Sequence, residues 1–570
     1  MKPLERWGKP IGKDVTRGGV VDAVVIGSGA GGSPVALTLA RAGYRVVVLE
    51  KGPHYDQRDF VYDEIRSCRR DFFVPSTADE PHMRVDPSGR ARRTTDGWIS
   101  NCVGGGTVHF NGWSFRAHPE DLKLRSALGE VRGSSVADWP IEWAELEPYY
   151  ERVEYEIGVS GDARKNPFET FRRPLPLPPL QGNGIGALID EACKGLGMHP
   201  YPTARAILSR AWNGRSPCRR SFFCGSYGCE TGAKSSALAA LLPQAVATGK
   251  CQVRPLCMAT RIETNAAGDR AVAVHYLDAN KTKQRLQAAV VVVACSPVES
   301  ARLFLLSKSN KHAQGLANGS GQVGRNLMFL GKGTGDAEFS RADARIKAID
   351  WREPFVNRAL QDFYLIDWKD QKKRRKGGTI SWLLPHANPI YTAETAATRG
   401  RALPLWGAAL KDELRRLGTV RRLAFEIFSE TLPVADSRVT LDPEVKDRFG
   451  LPVARLSIAQ HAVDREVSSV LVDRAIKVLE AMKAKHLHVE SRGGQDHVLQ
   501  SGTLRFGKDP EKSVLDRDCR AHQLPNLFVT DSSFMPTSTG VPPSLTIEAN
   551  AMRVADRIVA LGKQHGLFKR

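Results

Sequence analysis

Residues 21–50 read VDAVVIGSGAGGSPVALTLARAGYRVVVLE, and this stretch constrains the chain more than any other. An apolar strand over 23–26 runs into Gly27-Ser28-Gly29-Ala30-Gly31-Gly32. A helix of small residues follows over 33–42, then a second apolar strand over 45–49 that ends on Glu50. Gly27 allows a tight turn, Gly29 lets the backbone approach a pyrophosphate, and Gly32 lets the helix pack on the sheet. The helix N-terminus offers free N–H groups and a positive dipole end to phosphates. Glu50 is placed to accept both ribose hydroxyls, and an acid there argues against a 2′-phosphate. The unit predicts dinucleotide binding on an α/β fold.

At 570 residues the chain is too long for one core, so two or more subdomains are expected. The longest apolar run, near 288–298, is about half of what a membrane span needs. The opening MKPLERWGKPIGKD lacks the apolar core of a signal peptide. The expectation is a soluble protein, cytoplasmic or, if exported with a partner, periplasmic. The net charge of +20 admits nucleic acid, an anionic membrane or an acidic partner. Its densest run is Lys372-Lys373-Arg374-Arg375-Lys376, read as a solvated loop, and no nucleic-acid motif accompanies it. Ten cysteines in so long a chain are not a disulfide framework, but Cys218, Cys224 and Cys229 fall within twelve residues.

Residues 56–96 are charged and irregular, which suits a cap. Helical periodicity marks 145–158 and 185–196, and PLPLPPL at 174–180 reads as an extended strap. Strands are expected within 253–278 and over 287–293. Residues 330–495 alternate, as at 438–441 and 453–458, and include a helix over 464–485. From 526 the opening texture returns, with a strand over 527–530 and a helix over 544–561. The dinucleotide domain is therefore expected to be discontinuous.

Several segments coincide with one family. They are the opening fingerprint, VGGGTVHFNGWSFR at 103–116, GAKSSALAALLPQA at 232–245, VVVACSPVESARLFLLS at 291–307 and GQVGRNLM at 321–328. The C-terminal block from GTLRFG at 502 to the helix after VPPSLTIEAN completes the set. In this order they make the chain resemble the glucose–methanol–choline (GMC) flavin oxidoreductases, nearest to the sugar and sugar-acid dehydrogenases. The resemblance implies a discontinuous Rossmann-type FAD-binding domain over 16–329 and 496–570, with a cap inserted at 56–96. It also implies an α+β substrate domain over 330–495 with a mostly antiparallel sheet. The cofactor would be FAD, and the reaction hydride transfer from a CH–OH group of an alcohol, sugar or sugar acid to flavin N5. Electrons would pass to a non-oxygen acceptor, either an acceptor protein or a small subunit. Gly27, Gly29, Gly32 and Glu50 would hold the ADP half, and Ala259 would meet the adenine. Gly104, Gly105, Thr107, Asn111 and Gly112 would line the flavin. Asp531 would cap the ribityl–pyrophosphate, with Ser544 and Leu545 at the pyrimidine ring. His109 stands where some members link the flavin covalently; a link and an unlinked histidine both stay open.

Two positions depart from the family. The catalytic histidine normally precedes the Gly-Thr of the C-terminal block by three residues, and here that residue is Leu499. The second polar residue normally precedes the proline before the last helix, and here it is Pro542. Three readings follow. A bulge carries His497 into the site, with Gln500 or Ser501 as the second polar group; or the base comes from the substrate domain; or the flavin does lyase-like, decarboxylating or electron-transfer work. Cys218, Cys224 and Cys229 are open to two readings as well, as ligands of an iron–sulfur cluster or as loop thiols.

Overall fold

The strands around the first glycine loop pair in parallel, because they are buried on both faces and do not alternate. The computed structural model describes residues 6–65, 73–98, 100–169, 171–181, 184–221, 223–349, 356–367, 374–384 and 388–568. In it β1 (Val20–Ile26) leads through α1 (Gly32–Arg41) to β2 (Val46–Leu49). The parallel order is β3 (Cys251–Arg254), β2, β1, β4 (Lys283–Val293), and then the Leu527–Val529 strand. The fold is thus a discontinuous Rossmann-type α/β domain, because residues 527–529 complete a sheet begun at residue 20. The Met258–Thr264 and Ala271–Leu277 strands extend it in antiparallel fashion from the first half of β4. A Cβ at Gly32 would overlap the carbonyl of Gly27, so α1 can sit this close to the sheet only with glycine there.

The second sheet is antiparallel and roofs the first domain. It contains β5 (Met328–Ser340), β6 (Gly378–Leu383), β7 (Val420–Ser429) and, after helix α2 (Ala462–Ala481), β8 (Lys485–Ser501). The order is β8, β5, β7, β6, then the Val356–Leu360 and Tyr201–Pro202 strands. Its faces are specialised by alternation. Gly331 and Gly333 of β5 face α2, where an added Cβ would overlap Ser429 and Val472 respectively. Phe425, Ile427, Ile380 and Trp382 pack with Leu471, Val472 and Ala475 of α2 on that side. Lys332, Glu426 and Phe428 point the other way, toward the dinucleotide domain.

Three expectations are corrected. Residues 438–457 leave the roof sheet: the Arg438–Lys446 and Pro452–Ser457 strands form a small sheet with His82–Val85 and Ala91–Thr94. Part of the 56–96 cap is therefore a hairpin, because its strand 82–85 finds a parallel partner distant in sequence. The helix ends at Ala481 rather than 485, and β8 begins at Lys485. The basic run is not a solvated loop where it is described. Arg374–Lys376 is a strand, and Lys376 is buried 2.8 Å from the Asp121 carboxylate. Lys372 and Lys373 lie outside the described residues. Among the described residues no helix is long and apolar enough to cross a membrane.

Glu548 lies fully buried in the Ser544–His565 helix, and burial pushes its carboxyl up to about 8. A raised folded-state value favours the protonated form. The associated stability is present at acid pH and is lost as pH rises from the ordinary value near 4.5 toward 8. Glu548→Gln should flatten that decline. The check is the melting temperature of both proteins from pH 5 to pH 8: the gap should widen in favour of the variant as pH rises, and a pH-independent gap would refute the assignment.

Candidate active site

A cavity of about 360 Å³ runs from the first glycine loop to the roof sheet. Its dinucleotide end is built by two glycine-rich turns held together through one serine. Gly27 has φ +99°, and a Cβ there would overlap the Ala294 carbonyl, so the first turn demands glycine. Ser28 then donates to the Glu50 carboxylate twice, from Oγ at 2.6 Å and from its backbone N–H at 3.1 Å. Gly52 N–H donates to the other Glu50 oxygen at 2.9 Å. Gly104 N–H in turn donates to Ser28 Oγ at 2.9 Å, which docks the second glycine turn on the first. Burial raises the Glu50 carboxyl, against the pull of these donors.

The far side of this end is fixed by Asp531. One of its oxygens accepts from Ser533 N–H, and the other accepts from Ser300 Oγ and Ser296 N–H. The N-terminus of the Ser544–His565 helix opens on the cavity through Pro543 and Ser544. His109 lines the middle, with its ring stacked between Phe73 at 5.2 Å and Trp98 at 5.4 Å. Ser100 Oγ and both side-chain polar atoms of Asn101 are buried and have no hydrogen-bond partner among the described residues, and both residues line the cavity. Unpaired buried polar atoms are costly in isolation, so they mark where a polar ligand belongs.

Most expected cofactor residues meet on this wall: Gly27, Gly29, Glu50, Gly105, Thr107, His109, Asn111, Gly112, Ala259, Asp531 and Ser544. Gly32, Gly104 and Leu545 stand behind it. Ser28, Ser100 and Asn101 are additions; Ser28 lay inside the fingerprint, but nothing in spacing marks a residue between two required glycines.

The catalytic expectations come apart. The roof strand does bulge: Phe329 pairs with Gln500 while Leu330 pairs with Asp496, leaving 497–499 unpaired. The bulge turns His497 away from the cavity. Its Nδ1 lies 2.8 Å from Asp96, and its ring meets Phe329 edge-on at 5.2 Å. Burial alone would raise the Asp96 carboxyl, but His497 and then Arg84 hold it well below the usual range. Gln500 lines the cavity, yet it donates to the Gly97 and Trp98 carbonyls and accepts from Val298 N–H. Ser501 is buried in the ladder beside Met328. Leu499 and Pro542 both stand on the wall, with Trp113, Phe428 and Val498 nearby. Among the described residues, Lys332, Glu426 and Asp496 bring charge to this end.

Cys218, Cys224 and Cys229 lie near enough to one another to add to the rise that burial imposes on the Cys218 and Cys224 thiols, but among the described residues no three metal-ligating side chains are grouped so as to hold a metal ion. The loop is laced instead by Lys234, which donates to the carbonyls of Phe110, Cys224 and Tyr227 at 3.0, 2.7 and 2.6 Å. Burial pushes the Cys218 thiol up to about 11 and raises Cys224 as well.

Two family models, both described as GMC oxidoreductase, match residues 21–329 and 433–551. The chain belongs to the GMC oxidoreductase family. Paromamine 6′-oxidase of Streptomyces fradiae is 31% identical over 547 residues, covering 95% of this chain and 91% of that protein. 2-Methyl-1,2-propanediol dehydrogenase of Mycolicibacterium austroafricanum is 30% identical over 561 residues, covering 94% and 95%. A formate oxidase structure from Aspergillus oryzae shares the fold, with TM-score 0.65 and 15% identity over 97% of this chain and all of that one. This GMC oxidoreductase is an FAD-dependent enzyme acting on CH–OH donors. The glycine turns, Glu50 and the unpaired polar atoms of Ser100 and Asn101 fit that cofactor.

Ser28→Ala removes the link between the glycine turns and leaves a buried N–H unpaired, which costs about 1–3 kcal/mol. The FAD dissociation constant should rise about ten- to a hundred-fold, read by titrating apoprotein with FAD and following flavin fluorescence. Unchanged affinity would show that Gly104 is positioned without Ser28.

Proposed function

We propose that this enzyme oxidises the CH–OH group of a sugar or polyol, and that its electrons leave to an acceptor other than dioxygen. The observation that carries the reading is the single cavity that joins the dinucleotide wall to the inner face of the roof sheet. Bound FAD supplies the two-electron acceptor. Gly27, Gly29, Glu50, Asn101 and Asp531, which line the cavity, would hold it. Leu499, Pro542, Trp113 and Phe428 form the apolar end of the wall and exclude water from the reacting carbon. Neither Leu499 nor Pro542 can accept a hydroxyl proton, and among the described residues of the same cavity the roof sheet contributes Lys332, Glu426 and Asp496 as titratable groups. The non-oxygen acceptor is supported by resemblance to sugar dehydrogenases through the 232–245 segment and by the name of the propanediol dehydrogenase relative.

The loss of the usual histidine and of the second polar residue favours a second reading, a flavoprotein with lyase-like or decarboxylating chemistry. Anaerobic mixing with a panel of alcohols, polyols and sugars separates the two. At least one should bleach the flavin and yield the matching carbonyl compound, and a quinone should reoxidise the flavin faster than air does. A flavin that dithionite bleaches but no alcohol does would sustain the second reading.

We also propose that His109 anchors the flavin covalently, on the strength of its ring being clamped by Phe73 and Trp98. Acid precipitation should then leave flavin on the protein, and His109→Ala should release it. Free FAD in the supernatant of the unmutated protein would reject the bond.

A further inference from the structure

We infer that the apolar run at residues 402–410 docks this enzyme on an anionic lipid bilayer, whichever alcohol it oxidises. The run reads ALPLWGAAL, carries no charge, and is flanked by Arg399 and Arg401 on one side and Lys411 on the other. It joins the Pro389–Thr398 and Gly407–Leu417 helices. Leu403 is 80% exposed and Trp406 84%. Nine large apolar side chains are exposed among the described residues, and five of them, Ile390, Tyr391, Leu403, Trp406 and Leu414, fall between 390 and 414. Single exposed apolar residues are ordinary, but a concentration of them marks an interaction surface. Leu410, Leu414 and Leu417 form one stripe at helical spacing, yet no residue of the Gly407–Leu417 helix is buried. A helix of this length draws its stability from packing such a stripe, and here the stripe is left open to water.

Arginines pin the two helices to one face of the roof sheet. Arg399 pairs with Asp336 of β5 and Arg416 with Glu338, and both acids lie on the Lys332 face of that strand. The run therefore stands on the cavity side of the sheet, beyond Lys332. Leu405 N–H donates to the Ala397 carbonyl at 2.8 Å, which folds the run back on the first helix. The nearby acids are consumed: Asp336 is shared by Arg399 and Arg422, Arg416 holds Glu338 and Glu413, and Arg415 holds Asp412. Arg401 and Lys411 are exposed and form no ion pair among the described residues, although Glu413 lies close enough to feel Arg401. Leucines and a tryptophan on a tip flanked by cations match the boundary of an anionic bilayer. There the apolar side chains enter below the headgroups and the cations meet lipid phosphates. A second copy set face to face would oppose Arg401 and Lys411 to themselves, on a chain of net charge +20.

The test uses the FAD-loaded full chain and two kinds of vesicle, phosphatidylcholine alone and an equal mixture of phosphatidylcholine and phosphatidylglycerol. Co-sedimentation with the mixed vesicles should be about ten-fold stronger, and concentrated salt should erase that advantage. Leu403→Ser combined with Trp406→Ser should lower the partition coefficient about ten-fold, and Arg401→Gln combined with Lys411→Gln should remove the preference for phosphatidylglycerol. Lipid brominated on its acyl chains should quench the tryptophan fluorescence of the wild type, and Trp406→Phe should lose most of that quenching. FAD content measured on each variant shows that it is folded, and Trp406→Phe, the mildest change, decides the matter if the others are not. No binding to the mixed vesicles, binding that survives the Leu403 and Trp406 substitutions, or quenching that persists without Trp406 would overturn the inference. So would a wild type that is a dimer without lipid while the Leu403 and Trp406 variant is a monomer, since a second copy then covers the run.

Discussion

The carboxylate of Glu50 is the point from which the cofactor wall hangs. It sits at the end of β2, is buried, and takes three hydrogen bonds from Ser28 and Gly52. A carboxylate in such a place is costly unless its lone pairs are filled, and bonds to a charged acceptor are worth about 1.5–3 kcal/mol each. Satisfying it forces the first glycine turn into one conformation. That conformation presents Ser28 Oγ to Gly104, so the second turn is placed by the first. Asp531 does similar work opposite, drawing the 296–300 segment and the 531–533 turn together. The wall is thus held by two buried acids whose partners are backbone N–H groups and short hydroxyl side chains, groups with little freedom to lose.

Local chemistry was legible in the sequence, and long-range pairing was not. The first turn could be read from Gly27 to Glu50 because the strand, glycines, helix and acid lie within thirty residues and each has a steric or electrostatic reason. The last helix was placed because the strand–loop–helix texture of the opening unit returns after residue 526. The small sheet was not seen, because the Pro452–Ser457 strand finds its parallel partner at His82–Val85, and nothing in either segment names the other. The Lys376 charge looked solvated, since its partner Asp121 is far away in sequence. His497 shows a finer limit. The bulge beside it was foreseen as a possibility, but its direction is decided by Asp96 and Phe329, which belong to two other segments. The Lys332, Glu426 and Asp496 group escaped notice for the same reason: three isolated charges on alternating strands acquire a meaning only once the register is known.

The roof sheet shows how one strand serves two purposes. On β5, glycines at 331 and 333 let α2 approach, while the intervening Lys332 reaches the opposite side. A one-residue slip would bury the lysine under a helix and aim backbone alone at the cavity, so packing on one face enforces register on the other.

The way the first domain is completed has a consequence for biosynthesis. β4 pairs along Val291–Val293 with residues 527–529, and Asp531 follows directly. During translation the apolar end of β4 emerges long before its neighbour does. At about 5–20 residues per second the intervening chain takes tens of seconds to appear. Throughout that interval a parallel sheet with an open edge and half a cofactor wall must be kept from pairing with other nascent chains. The wall that receives the flavin is therefore complete only once residues 527–531 have been made.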